Sequence, residues 1–432
     1  MERFALTALS KWKKSKSRKP LIIQGARQVG KTWLMKEFGR REYEQVAYIN
    51  FESSDSLKSI FREDFDICRL ITAFQIETGI RIRPENTLII FDEIQEAERG
   101  ITSLKYFCEN APQYHIIAAG SLLGITLHQK TSFPVGKVDF LTLYPMSFNE
   151  FLLALGQEQL YELLKSNDWP MITSFKTKLI GHLRHYYFIG GMPEAVSSFL
   201  SENDFDKVRS IQKSILSSYD HDFSKHAPAE IVPRIKMLWQ SIPSQLSKEN
   251  KKFIYGVVKQ GGRAKEFELA LAWLTDCGLV HKIERISKPA IPLVACQDNS
   301  AFKLFILDVG LLSAMGGLTK QTILQGNSIF SEFKGALAEQ FVLQHFKTRQ
   351  DDKVFYWSSD TSQAELDFVI QNNDQVIPIE VKAEENLKAK SLKSFYEKFN
   401  PKIAIRTSMS DYRDDGWLVN VPLYALESFQ FA

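Results

Sequence analysis

The sequence is short of several things, and each shortage closes off a class of function. Only four cysteines occur in 432 residues, and Cys68, Cys108, Cys277 and Cys296 form neither a C-x-x-C pair nor a Cys/His group at metal-ligand spacing. That excludes a zinc ribbon and a disulfide framework, and the four read as buried, reduced thiols. No apolar run reaches the roughly 18 residues of a membrane span, and the N-terminus lacks the apolar stretch of a signal peptide. The expected location is the cytoplasm, without a membrane partner. An excess of one charge is missing too: 54 Lys and Arg stand against 51 Asp and Glu, and a net +3 is too mild to announce nucleic acid. The one local excess, the basic stretch Lys11–Lys19, reads as a solvated face or turn just before the first apolar strand.

What is present describes a folded chain of several parts. Hydrophobic residues make up 44% and charged residues 24%, ordinary for soluble globular proteins. At roughly 100–200 residues per domain the length implies two to four domains.

Leu21-Ile22-Ile23 reads as a buried parallel strand, and it runs straight into Gly25-Ala26-Arg27-Gln28-Val29-Gly30-Lys31-Thr32 and then a helix. Strand, glycine-bounded loop and helix are the context a phosphate-binding loop requires. Gly25 and Gly30 let backbone N–H groups curl around a phosphate, and the helix N-terminus adds the positive end of its dipole. Lys31 neutralises the β/γ-phosphates, while Thr32 offers its hydroxyl to Mg²⁺. About sixty residues on, Thr87–Phe91 is an apolar strand ending in Asp92-Glu93. Asp92 would hold Mg²⁺ through water, and Glu93 would polarise the attacking water, which separates a hydrolase from a nucleotide binder. A third strand, His115–Gly120, ends at Ser121, either a γ-phosphate sensor or a turn or cap serine. With Val46–Phe51 as a further strand, strands and helices alternate as in a doubly wound parallel α/β sheet.

These stretches, with Asp92–Ala97, Leu104–Phe107, Ala118–Gly124 and Leu143–Phe151, resemble a family of bacterial and archaeal ATPases of the AAA superfamily whose members carry a C-terminal domain of uncharacterised function. The resemblance implies ATP rather than GTP, and no guanine-specifying Asn/Thr-Lys-x-Asp motif follows the two motifs. It extends to Gly190–Ala195, similar to a Gly-x-Pro segment in the helical lid of signal-transduction ATPases. Pro193 would there pack on the nucleotide base, or the segment merely turns the chain between helices. Where family members have Gly-Arg after the sensor segment this chain has Gly136-Lys137, so no arginine finger is assigned.

From about Asn149 to Tyr219 the apolar spacing is helical throughout, as in a lid. Beyond it a helix ending near Pro243, a short segment Lys251–Gln260, the helix Ala264–Cys277 stopped by Gly278, and a strand pair outline a winged helix. Its candidate recognition helix, Lys265–Leu274, is acidic and apolar rather than rich in the Arg, Asn and Gln that read base edges, which favours packing or oligomerisation.

At the C-terminal end Glu365–Ile370 and Val376–Lys382 form a hairpin around Gln371–Gln375. Glu380 and Lys382 share a face, beside Asp367 across the hairpin, and the helix Gly335–Leu343 would deliver Glu339. The constellation resembles the restriction-endonuclease-like superfamily, which implies metal-activated water attacking a phosphodiester, with a second Mg²⁺ or Mn²⁺ at this site. Such a site either cleaves DNA or RNA, binds nucleic acid without turnover, or only braces the fold. Lys388, Lys390 and Lys393 would form a phosphate-facing patch or a solvated one.

The expected architecture is therefore a P-loop core at 1–150, a helical lid at 151–225, a winged-helix-like connector at 226–300 and a restriction-endonuclease-like α/β domain at 301–432. The expected activity is that of a Mg-dependent ATPase acting as a conformational switch. Its C-terminal module either handles nucleic acid or serves a protein partner or a homo-oligomer as a non-catalytic scaffold.

Overall fold

The computed structural model describes residues 1–120, 134–248, 251–325, 331–349, 353–359, 364–385 and 389–431. The chain divides into two compact units, one of Glu2–Tyr144 with Asp276–Gly278, the other of Pro145–Thr275 with Leu279–Ala432.

The N-terminal unit is built on a five-stranded sheet in the order β2-β3-β4-β1-β5. Its strands are β1 (Leu21–Gln24), β2 (Gln45–Asn50), β3 (Thr87–Asp92), β4 (His115–Ala119) and β5 (Asp139–Thr142), and every pairing is parallel. Parallel strands buried on both faces read as continuous apolar runs, and β3 is buried at every position. Alternate side chains serve opposite faces. Ile89 and Phe91 pack with Leu70 and Phe74 of helix α1 (Ile67–Thr78) and with Leu104 and Phe107 of helix α2 (Gly100–Asn110). On the other face Leu88 and Val46 meet Gly39 of the helix Lys31–Glu42, where an added Cβ would lie 2.5 Å from a Val46 methyl. The aromatic centre is Phe91, with Phe51, Phe74 and Phe107 at ring separations of 5.5, 5.3 and 6.1 Å. Each fully buried Phe contributes about 1.5–3 kcal/mol of transfer free energy.

In the C-terminal unit the described residues of 148–275 are helical wherever they are regular. The expected helix end at Pro243 is a correction, since the helix Val232–Leu246 runs through that proline. The lost backbone bond costs about 3 kcal/mol, which the burial of Leu238, Trp239, Ile242 and Leu246 offsets. The helix Ala264–Asp276 buries Phe267, Leu271, Trp273 and Leu274 and leaves Leu269 exposed.

The strand pair expected as a wing, β6 (Val280–Ile286) and β7 (Gln297–Ile306), belongs to an eight-stranded mixed sheet, order β12-β13-β11-β10-β9-β8-β6-β7. The other strands are β8 (Val354–Ser358), β9 (Glu365–Asn372), β10 (Gln375–Val381), β11 (Ala404–Ser408), β12 (Arg413–Asp414) and β13 (Leu418–Pro422). Arg285 and Ile286 pair with Tyr356 and Trp357, which joins β6 to β8. The expected boundary at 300/301 thus falls inside β7, and that at 150/151 inside the helix Phe148–Ala154. The β9–β10 hairpin stands where the alternation placed it, with Asn373 at φ 50 in its turn. Of the cysteines, Cys277 and Cys296 are buried, whereas Cys68 is exposed and Cys108 half-buried. Among the described residues no helix is long and apolar enough to cross a membrane.

Candidate active site

The phosphate loop begins where β1 ends. Gly25 has φ 138, and a Cβ there would lie 2.2 Å from the Leu143 carbonyl oxygen, so only glycine fits. The chain turns again through Gln28 at φ 65 and Gly30 at φ 95, and Gly30 caps the helix that opens with Lys31 and Thr32. The Lys31 ammonium donates to the carbonyls of Gly25 (2.8 Å) and Ala26 (2.7 Å). Burial pushes its pKa down to about 8; the nearby Glu93 and Asp92 charges oppose that shift and Arg27 adds to it.

The second motif meets the first directly. Thr32 Oγ1 donates to Asp92 Oδ2 at 2.8 Å, and Tyr48 Oη donates to the same oxygen at 2.8 Å. The Glu93 N–H donates to Asp92 Oδ1 at 3.2 Å. Glu93 adopts a left-handed conformation (φ 50, ψ 45), uncommon outside glycine, and accepts from Gln95 Nε2 at 2.5 Å. A hydroxyl and a carboxylate within hydrogen-bond reach are the hard oxygen donors that Mg²⁺ takes, so Thr32 and Asp92 fit the ion that the motif implies. Strand β4 lies between β1 and β3, so its carboxyl end emerges between the two motifs. Ser121, the sensor candidate at that end, lies outside the described residues.

Two residues of this site escaped the motifs. Arg3 is buried and donates from Nη1 to the Val29 carbonyl (3.1 Å) and from Nη2 to the Tyr144 carbonyl (2.6 Å), bracing the loop from behind. Tyr48 looks like an ordinary strand aromatic; its one signal is a place on the strand that pairs with the Asp92 strand. Lys137 pairs with Glu109 at 2.9 Å.

In the C-terminal unit Pro193 opens the helix Pro193–Glu202, after Gly190, Gly191 and the N-cap Met192. A Cβ on Gly190 would lie 2.2 Å from Asp308 Oδ1, and one on Gly191 2.0 Å from the Met146 carbonyl oxygen. Asp308 accepts the N–H groups of Gly191 (2.6 Å) and Leu311 (2.9 Å), so these glycines serve a close-packed turn.

The three carboxylates of the nuclease-like constellation, Glu339, Asp367 and Glu380, each have a lysine partner, and for Glu380 it is the fourth member, Lys382. Glu339 pairs with Lys251, and Asp367 hydrogen-bonds to Glu339 and accepts the Val381 N–H at 2.7 Å. Lys303 of β7, with no exposed surface, stands 2.7 Å from Glu365 and 3.9 Å from both Asp367 and Glu339. Lys382 pairs with Glu380 at 2.7 Å. Burial, reinforced by the Glu339 charge, raises the Asp367 pKa, and its three acidic neighbours hold the Lys303 ammonium charged against burial. Among the described residues no group of three or more His, Cys, Asp or Glu side chains forms a metal site, and the expected second metal has no such group to occupy. Lys388 lies outside the described residues, while Lys393 lies 3.8 Å from Glu397 on its own helix.

Comparison with known proteins adds to this geometry. Residues 17–152 match the family described as AAA domain. Residues 17–152 thus carry an AAA-type domain, built on a five-stranded parallel sheet like that of a P-loop NTPase. Residues 180–322 and 334–426 match two families, each described as a domain of unknown function (DUF8612 and DUF4143). These two segments share the eight-stranded sheet, the first contributing β6 and β7 and the second β8 to β13. Among solved structures the chain is similar to a Walker-type ATPase of Pyrococcus abyssi (14% identity, 73% of this chain and 95% of that one, TM-score 0.45). It is also similar to the Aeropyrum pernix ORC1 protein in complex with DNA (11%, 72% and 90%, 0.27) and to Cdc6p from Pyrobaculum aerophilum (11%, 74% and 93%, 0.25). At these TM-scores the fold assignment of the AAA-type domain rests on its strand order and its family match. No curated protein matches the sequence.

Proposed function

We propose that the chain is a Mg-dependent ATPase whose nucleotide cycle drives a conformational switch. The observation that carries this reading is the meeting of Thr32 with Asp92 at 2.8 Å, with Glu93 next in the chain. On nucleotide binding, Lys31 exchanges the Gly25 and Ala26 carbonyls for β/γ-phosphate oxygens, and the loop N–H groups take the β-phosphate. Thr32 and Asp92 hold the Mg²⁺, which when bound offsets phosphate charge. Glu93 accepts a proton from the attacking water on its carboxylate, while Gln95 fixes its direction. Ser121 as γ-phosphate sensor and Pro193 as base contact belong to the same proposal.

For the C-terminal unit we propose a non-catalytic role in which the Glu339, Asp367 and Lys303 cluster braces the sheet. What favours this over phosphodiester cleavage is that a lysine ammonium stands among the carboxylates where a nuclease would need a cation. The testing experiment has two arms. Lys31→Ala abolishes nucleotide binding or hydrolysis, and Glu93→Gln binds ATP yet hydrolyses it poorly; wild-type turnover by the Glu93 variant removes that glutamate from the mechanism. Incubation with DNA and RNA under Mg²⁺ or Mn²⁺, with and without ATP, gives no cleavage if the cluster is a brace. Cleavage that disappears in Asp367→Ala or Lys382→Ala restores the nuclease.

A further inference from the structure

We propose that Tyr48 is a positioning residue for the metal half of the nucleotide site, an inference that rests on the Mg-ATP reading above. Asp92 Oδ2 receives two donors at the same distance, Thr32 Oγ1 and Tyr48 Oη, each at 2.8 Å. They approach from different elements. Thr32 rides on the helix that follows the phosphate loop, and Tyr48 on β2, whose Tyr48 pairs with Ile90 two residues before Asp92. The threonine is a moving part of the site, since its hydroxyl must turn a lone pair toward a bound ion. The tyrosine is not. Its ring is fixed from the helix side by the Lys36 ammonium, 3.7 Å from the ring centroid, and its backbone is fixed by the sheet. The phenol is the donor of the pair, because the carboxylate oxygen can only accept.

With the Glu93 N–H on Oδ1, the carboxylate is gripped at both oxygens, and its plane is set before any ion arrives. Outer partners orient the groups that hold a metal, and their loss typically lowers metal affinity about 10–100-fold.

The test is Tyr48→Phe, which keeps the ring and its Lys36 contact and removes only the hydroxyl. Mn²⁺ is titrated onto the ADP-loaded protein and free Mn²⁺ is followed by electron paramagnetic resonance. The Mn²⁺ affinity of the variant falls about tenfold. Its affinity for a fluorescent ADP in EDTA and its melting temperature stay at the wild-type values, and its ATPase needs more Mg²⁺ for half-maximal rate with little change in kcat. Wild-type Mn²⁺ affinity in Tyr48→Phe overturns the proposal. Lys36→Met separates hydroxyl from ring: it retains Mn²⁺ affinity, and a loss equal to that of Tyr48→Phe assigns the effect to ring packing and overturns the proposal as well. If the wild-type ADP complex takes up no Mn²⁺, the Mg-ATP reading itself falls.

Discussion

The Asp308 carboxylate, fully buried, accepts the backbone N–H of Gly191 at 2.6 Å. Its other oxygen caps the helix Val309–Met315 through the Leu311 N–H at 2.9 Å, and Gln344 lies against it while also donating to Tyr186 Oη. One side chain thus ties the Gly190-Gly191 turn to a helix start and to the helix Ser331–Thr348.

Burial raises the Asp308 pKa to about 6, against the pull of its N–H donors. The folded protein therefore holds a proton that the unfolded chain has already released above its ordinary value of 3.8. By linkage, stability from this group is fully present below about pH 4 and is lost as pH rises toward 6, by up to about 3 kcal/mol. Urea unfolding of the C-terminal unit across pH 4–7 checks this. Asp308→Asn cannot titrate and flattens that component of the profile; a profile of unchanged slope in the variant counts against the assignment.

The Gly191 peptide is held on two sides, since Met146 N donates to its carbonyl at 2.7 Å and the Met146 carbonyl in turn accepts from Tyr186 Oη at 2.5 Å. Gly191→Ala would place a methyl 2.0 Å from that Met146 oxygen, an overlap with backbone that side-chain rotation cannot relieve. The expected loss is about 1–3 kcal/mol or more, read as a lower melting temperature. Gly181, in the middle of the helix Lys176–Ile189, meets nothing within 4 Å. Gly181→Ala therefore stabilises by about 0.5–1 kcal/mol through helix propensity. The two variants shift the melting temperature in opposite directions, and a shared direction would refute the packing argument.

Much of the N-terminal unit was legible because its chemistry is local in sequence. Leu21–Ile23 and Thr87–Phe91 read as buried strands from their apolar runs, and Lys31, Thr32, Asp92 and Glu93 lie at fixed offsets from those strands. Tyr48 and Arg3 were not legible, because what identifies each is a partner brought in by folding: Asp92 for one, and the carbonyls of Val29 and Tyr144 for the other. The C-terminal hairpin was legible from its alternation and turn residues, but its electrostatics were not. Lys303 sits within the apolar run Ala301–Leu307, and nothing local shows that its ammonium is aimed at Glu365 and Asp367 rather than at water. The strand pair at 280–306 has a hairpin pattern that suits a wing and a sheet edge equally, and only its pairing to β8 decides between them.

Lys303 carries the charge balance of the buried cluster. Lys303→Met leaves Glu365 and the Glu339/Asp367 pair with one fewer cation in a low-dielectric site, and breaking a buried pair from one side costs about 3–5 kcal/mol. Asp367→Asn has the opposite expectation. Its pKa is raised by burial and by the Glu339 charge, so an amide resembles the protonated acid already favoured there, and the variant unfolds near the wild-type urea midpoint. A severe loss in Asp367→Asn with a mild one in Lys303→Met would reverse the assignment and return Asp367 to the role of a required anion.

Arg3 acts on the phosphate loop through the geometry of one peptide plane. In a trans peptide the carbonyl of Val29 and the N–H of Gly30 point in opposite directions. Tying the Val29 oxygen to Arg3 Nη1 at 3.1 Å therefore aims the Gly30 N–H away from the brace, and Gly30 at φ 95 continues that turn into the helix bearing Lys31. The second fork of the guanidinium, on Tyr144 at 2.6 Å, keeps the side chain from swinging out. A lysine carries its three donors on one nitrogen and lacks the planar fork whose Nη1 and Nη2 reach the two carbonyls separately. Arg3→Lys thus leaves one buried carbonyl unsatisfied, at a cost of about 1–3 kcal/mol. Because the free loop is then less ordered, ATP affinity drops about tenfold or more, since each 1.4 kcal/mol is a factor of ten. Turnover at saturating ATP changes little, since Lys31, Thr32 and Glu93 are untouched. Fluorescent-nucleotide titration together with steady-state kinetics separates the two quantities: a fall in kcat at unchanged nucleotide affinity would place Arg3 outside the phosphate loop's support.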